Sequence, residues 1–454
     1  MKVSKKDGIF KGALILGVCA FFAKVLGAFY RVPLTNLLGG YGLGLYQMIF
    51  PIYSLLLDFS SGGAPTALAK IISSENNDRE TSAHNYLVSS IKFLSLIGVG
   101  LTLVLVLFCK PISTLQGNSN SYLGYLFLSP SILLVCAISC FRGYFQGLMD
   151  MKPTAISQII EQLVKLALGL AFVYLLSANT VYAVAGATFA ITLSELVALF
   201  YLVVVYKKRK VKLNLNLLYQ KQGNGERIKR LLKYSFPIIV VGTLIPLSHV
   251  VDSFMIVNVL SKYRQDATTL FGLLSGVALT VINLPVSICH GVSTVAVPSI
   301  SSTHSKEEKN RRAEKTLLLT LLVTIPCAIL CFLFAPFIVS LLFRSLGTYE
   351  KDVAINLIKI TSPCIILLSL IQTQNAILVA KNKLYLPSIN LFIGVVLKIV
   401  VNLILLPIPK FNVYGGAFGL IACYFFTCLV NLITLISLKV KDERSILASR
   451  QNPT

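Results

Sequence analysis

Charge is scarce in this chain. Only 13% of its 454 residues are Asp, Glu, Lys or Arg, against 55% hydrophobic residues and a mean hydropathy of +0.78. So little charge cannot clothe a soluble domain of this size, which leaves a polytopic membrane protein. Carboxylates are scarcer still, 18 against 41 Lys and Arg, for a net charge of +23. A nucleic-acid surface would need those cations clustered on a soluble face. They lie instead between apolar runs of spanning length, so loop topology accounts for them and no nucleic-acid partner is expected.

Other absences narrow the chemistry. No GxxxxGK[ST] loop supports a nucleotide-driven pump. No HExxH pattern, nucleophile elbow or soluble domain offers a place for catalysis, so the chain is not expected to be an enzyme. His84, His249, His290 and His304 lack metal-ligand spacing, so neither metal nor cofactor is expected. The start, MKVSKKDG, leads straight into a long span without a small-residue cleavage site, so no cleavable signal sequence is expected. Cys136 with Cys140 and Cys327 with Cys331, one helical turn apart in apolar helices, read as small hydrophobes.

What is present is a succession of apolar runs long enough to cross a bilayer. They fall at 9–32, 43–69, 86–109, 122–148, 154–176 and 181–206, then at 234–258, 269–297, 316–343, 354–380, 384–406 and 414–438. With a cytoplasmic N-terminus the inner segments collect 27 Lys and Arg and the outer loops 6, which places both termini in the cytoplasm. The expected organisation is a six-helix lobe over 1–206, a basic cytoplasmic linker over 207–233, a second six-helix lobe over 234–440 and a cytoplasmic tail over 441–454. The linker carries ten Lys and Arg and suits anionic headgroups of the membrane surface.

The two halves resemble each other. GAPTALAKIISS at 63–74 aligns without gaps on GVSTVAVPSISS at 291–302. Ser129-Pro130 aligns with Ser362-Pro363, each read as opening a helix, and Gly186-Ala187 aligns with Gly416-Ala417. These anchors, in order and at nearly constant offset, argue for a duplicated six-helix unit. Parallel repeats imply a pseudo-twofold axis along the membrane normal. The fold class is therefore all-α, a polytopic membrane protein of about 12 helices in two pseudo-symmetric lobes around a central cavity, working by alternating access.

Ionisable residues inside hydrocarbon are costly and mark functional positions. In the first span Ala13, Gly17, Ala20, Lys24, Gly27 and Arg31 share one helical stripe of small residues and cations, suited to face a cavity. Snorkelling to headgroups fits Arg31 better than Lys24, which lies deeper. Asp58 lies at about the depth of Lys24, as a buried pair within the lobe. Arg142, Glu161 and Lys165 read as a triad that neutralises itself between helices. Glu195 and Lys398 are near mid-membrane with no partner nameable from sequence. Repeat alignment places Asp252 beside Tyr30, so Arg31 and Asp252 are expected to approach from the two lobes as an outer gate.

The segment KVLGAFYRVPLTNLLGGYGLGLYQMIFPIYSLLLDFSSGGAPTALAKIISSE resembles the N-terminal signature of the bacterial stage V sporulation protein B group. That group sits with polysaccharide exporters and lipid II flippases in the superfamily that also holds multidrug and toxin extrusion transporters. The resemblance implies translocation of an undecaprenyl-pyrophosphate-linked saccharide across the bacterial plasma membrane, for peptidoglycan, spore cortex or surface polysaccharide. A monomer is expected, with cell-wall or polysaccharide synthases as partners; without a nucleotide-binding signature, transport is expected to run on an ion gradient, on membrane potential or down the substrate's own gradient. Cations on the first helix of lipid II flippases line the cavity, and Lys24 and Arg31 match such positions. Two departures stand: those flippases have fourteen helices, and Asp58 stands where a further cation is expected. The competing reading is a cation-coupled multidrug or metabolite exporter. It would favour aromatics and unpaired carboxylates, whereas here the opening helix supplies cations and the chain has no tryptophan.

Overall fold

The computed structural model describes residues 5–74, 79–209, 224–301, 303, 305–381, 383 and 385–451. No strand occurs among them. Ten helices are long and apolar enough to cross a membrane, or eleven if the bent pair Gly225–Gly242 and Leu244–Leu260 crosses as one. The difference from the twelve expected spans lies at the start. Stretch 9–32 and most of 43–69 fall in one helical run, α1 (Lys5–Ser61), broken at Gly39 (φ 66°, ψ −178°), and the end of the second stretch enters the next helix. That left-handed backbone is cheap only for glycine, which is why the break falls within LGGYGLG.

The chain forms two compact units, residues Met1–Phe254 and Met255–Thr454. The first comprises α1, α2 (Ala64–Ser74), α3 (Arg79–Leu115), α4 (Tyr122–Gly147), α5 (Lys152–Leu175), α6 (Thr180–Lys208), α7 (Asn224–Gly242) and most of α8 (Leu244–Leu260). Its boundary lies beyond the basic linker expected to separate the lobes. The physical reason is packing: α7 lies against α2, α3 and α1, and Gln116 reaches Ser253 of α8. Most of the linker, 210–223, is outside the described residues.

The second unit continues with α9 (Ala267–Gly272), a π-helical turn over Leu273–Ala278, and α10 (Leu279–Ser301). It is completed by α11 (Lys306–Leu333), α12 (Ala335–Leu342), α13 (Thr348–Thr361), α14 (Pro363–Ala380), α15 (Leu386–Leu405) and α16 (Tyr414–Gln451). Packing repeats between the units. In the first, α3 packs on α4, and α2 and α6 also pack on α4, with α5 on α6. In the second, α11 packs on α14, α10 and α16 pack on α14, and α15 packs on α16.

The repeated Ser-Pro pair explains one part of this correspondence. A proline inside a helix leaves the carbonyl four residues back without its amide donor. Ser129 Oγ donates to the Leu126 carbonyl at 2.8 Å, the one Pro130 orphans, and Ser362 Oγ donates to the Lys359 carbonyl at 2.9 Å, the one Pro363 orphans. One expectation is corrected: Pro130 does not open a helix but lies inside α4, whereas Pro363 opens α14. The glycine pair also shifts by one residue. A methyl on Gly186 would crowd Phe172 and Leu176 at the end of α5, and on Gly415 would crowd Leu405 and Leu406 at the end of α15. Gly415 rather than Gly416 thus plays the part of Gly186.

The core of the first unit joins Leu68, Ile71 and Ile72 of α2 to Phe141, Tyr144 and Phe145 of α4. Leu96, Leu103 and Leu107 of α3, and Leu318 and Leu322 of α11, are exposed. Such outward apolar faces suit contact with hydrocarbon.

Candidate functional site

The intramembrane charge gathers in the first unit. Packing of α1 on α5 sets the Tyr30 ring against Gly169 and brings Lys165 over that ring, with Nζ 6.0 Å from its centroid. This is a cation–π placement. Across the Gly39 break Arg31 and Tyr46 interact, and Arg31 is near enough to Lys165 for the two cations to feel each other. The helical position of Lys24 follows from α1, but its side chain, and hence its expected pairing with Asp58, lies outside the described residues. Asp58 itself is half-buried beside Gly242 of α7, with no ion-pair partner among the described residues.

The expected triad resolves into a pair and a separate lysine. Arg142 Nη2 donates to Glu161 Oε2 at 2.8 Å and Arg142 Nε to Ser157 Oγ at 3.0 Å. Gln162 Nε2 donates to Glu161 Oε1 at 3.3 Å. Both oxygens of Glu161 are thereby occupied. Lys165, one turn further on, has no carboxylate within 4.0 Å among the described residues, although the i, i+4 rule alone would pair it with Glu161.

Glu195 of α6 is 4% exposed, and the Tyr53 hydroxyl donates to its Oε1 at 2.5 Å. Tyr53 comes from the second segment of α1, 142 residues away, and is a partner the sequence could not name. Neither its residue type nor its spacing carries a signal for this role. Asp252 of α8 is 6% exposed, with Oδ2 3.9 Å from His249 Nδ1. Asp252 and Arg31 both belong to the first compact unit.

The second unit is chemically different. It holds a neutral asparagine network, in which Asn390 Nδ2 donates to Asn431 Oδ1 at 2.8 Å, and Asn431 Nδ2 to Asn375 Oδ1 at 3.0 Å. Lys398 of α15 is 1% exposed, one turn from Asn402, and its stem packs close to Gly419 of α16. A cavity of about 180 Å³ lies between α11, α14 and α16, near the Lys381–Asp442 and Lys439–Glu314 ion pairs, apart from these groups. No cluster of His, Cys, Asp and Glu able to hold a metal occurs among the described residues.

Fixed cations beside an aromatic ring, with the neighbouring carboxylate already neutralised, can hold a polyanionic group in a low-dielectric site. A family model described as "Polysaccharide biosynthesis protein" matches residues 9–304, and a second, "MatE", matches 237–404. "Stage V sporulation protein B" of Bacillus subtilis (strain 168) is 27% identical, over 96% of this chain and 86% of its own length. "Lipid II flippase MurJ" of the same organism is 26% identical, over 97% of this chain and 85% of its own.

Among solved structures, a lipid II flippase MurJ in its inward closed conformation superposes with a TM-score of 0.73 at 18% identity, covering 97% of this chain and 93% of that one. An inward-facing multidrug resistance MATE family transporter of the MOP superfamily gives 0.79 at 13% identity, covering 93% and 96%. Both likenesses concern the fold.

Proposed function

This chain belongs to the polysaccharide biosynthesis protein family, and from that membership we propose that it is a flippase for a lipid-linked saccharide. It is a multi-pass membrane protein of the MOP superfamily of flippases and transporters. The finer reading is that it carries an undecaprenyl-pyrophosphate-linked saccharide from the cytoplasmic to the outer leaflet of the bacterial plasma membrane. Both termini then lie in the cytoplasm, and the cycle is one of alternating access without catalysis.

The observation that carries this reading is Lys165, a cation inside the first unit whose neighbouring carboxylate is already held by Arg142 and Gln162. A pyrophosphate leaving water needs fixed positive charge to offset lost hydration. Lys165 supplies one such charge, with Arg31 beside it and Lys24 as the further expected contact. The dianion moving outward would be favoured by an inside-negative membrane potential, which needs no nucleotide. Arg31 and Asp252 lie in one compact unit, so a gate closed from two lobes forms no part of this reading.

Export of a cationic drug or metabolite is the second reading, favoured by the MATE-like fold and by the half-buried carboxylate of Asp58. Liposome reconstitution separates the two. Labelled undecaprenyl-pyrophosphate saccharide should change leaflet when the native protein is present, and cationic dyes should not leave the vesicle. Dye efflux without lipid translocation would establish the exporter instead.

A further inference from the structure

One buried carboxyl plays no part in the substrate reading. Glu195 lies inside the first unit, 4% exposed, on a helix packed against α1, α4 and α5. Its Oε1 accepts from Tyr53 at 2.5 Å, while its Oε2 is buried and has no hydrogen-bond partner among the described residues.

The groups facing it can be named element by element. Tyr53 comes from α1, Ser131 from α4 with a hydroxyl close enough to exchange a hydrogen bond with the carboxyl, and Glu161 and Lys165 from α5. Glu161 is committed to Arg142 and Gln162, and adds negative potential near Glu195. Lys165 is not within ion-pair distance. A carboxylate with one oxygen unpartnered in such a place is expensive, and a carboxylic acid is not. Tyr53 has one hydroxyl proton, already donated to Oε1, so it cannot also serve Oε2.

We propose that Glu195, clamped by Tyr53, is a proton-binding site whose proton sits on Oε2. The proton comes from water and returns to it, with no other bond made or broken. Ionisation of Glu195 places a negative charge close to Lys165 and Glu161, and protonation removes it. The charge of the whole intramembrane cluster therefore changes by one. This site does not depend on which substrate is carried.

The test is an infrared difference titration of the full-length native protein in lipid nanodiscs, without substrate. The native protein should show the carbonyl stretch of a protonated carboxyl that disappears as pH rises, and Glu195→Gln should lack that titrating band. Tyr53→Phe keeps the ring and removes the donor that favours the ionised form, so it should retain the band and move its midpoint to higher pH. Should Glu195→Gln fail to fold, the Tyr53→Phe midpoint decides alone. Identical titrations of native protein and Glu195→Gln, or a midpoint unmoved by Tyr53→Phe, would overturn the assignment.

Discussion

Lys165 of α5 stands over the ring of Tyr30 of α1, with Nζ 6.0 Å from the ring centroid and no carboxylate within 4.0 Å among the described residues. A ring face eases the burial of an ammonium but does not neutralise it. The lysine therefore has no carboxylate committed to it, while Arg142 one helix away is paired with Glu161. Two cations of similar depth thus have different parts, and substitution should separate them.

Arg142→Ala should act on stability before transport. The pair is partly buried, at 16% and 22% side-chain exposure, so removing the guanidinium strands Glu161 Oε2. A loss of about 3 kcal/mol is expected for one orphaned partner of a buried pair. Adding Glu161→Gln should restore part of it, because the stranded charge goes too. Thermal unfolding in detergent of the single and double variants measures both steps, and an unchanged midpoint in Arg142→Ala would refute the structural role.

Gly39→Ala should cost about 1 kcal/mol, because φ 66° puts an alanine Cβ against the following carbonyl. No neighbour lies within 4 Å of the added methyl, so backbone strain alone sets the cost. Gly39→Asn should cost at least as much, since φ 66° with ψ −178° lies outside the left-handed helical well that Asn visits. Equal unfolding midpoints for Gly39→Ala and native protein would contradict the left-handed break.

Gln116 is fully buried between three partners. Its Nε2 donates to the Met48 carbonyl and to Ser253 Oγ, each at 3.0 Å, and its Oε1 accepts from Tyr125 at 2.6 Å. It thus ties α8 to α1 and α4 inside the first unit. Gln116→Ala should lose about 2 kcal/mol. Gln116→Glu should lose more, because an acceptor-only carboxylate would face the Met48 carbonyl. A glutamate variant as stable as native protein would show that these hydrogen bonds contribute little.

Much of the fold is legible in the sequence because lipid imposes long apolar runs and glycine marks the turn at Gly39. The duplicated Ser-Pro pairs are legible for a local reason, a hydroxyl three residues from the carbonyl that proline leaves bare. Tyr53 was hidden because a neutral ring in an apolar helix looks like core, and because its partner Glu195 is 142 residues away. The triad was misjudged for another reason. Helical spacing brings Lys165 near Glu161 but does not reveal that Gln162 and Arg142 take both carboxylate oxygens first. The boundary between compact units was likewise out of reach. Composition marks the basic linker, whereas the packing of α7 on α2 and α3 sets where the first unit ends.

Translocation of a labelled undecaprenyl-pyrophosphate saccharide in liposomes, compared among native protein, Lys165→Ala and Lys165→Arg, tests the central claim most directly. Removing one fixed cation from a phosphate site should slow translocation by about tenfold or more, since a charged hydrogen bond contributes roughly 1.5–3 kcal/mol. Lys165→Arg should retain most of the rate, because the charge persists. Native-like translocation by Lys165→Ala at equal reconstituted amounts would contradict the account.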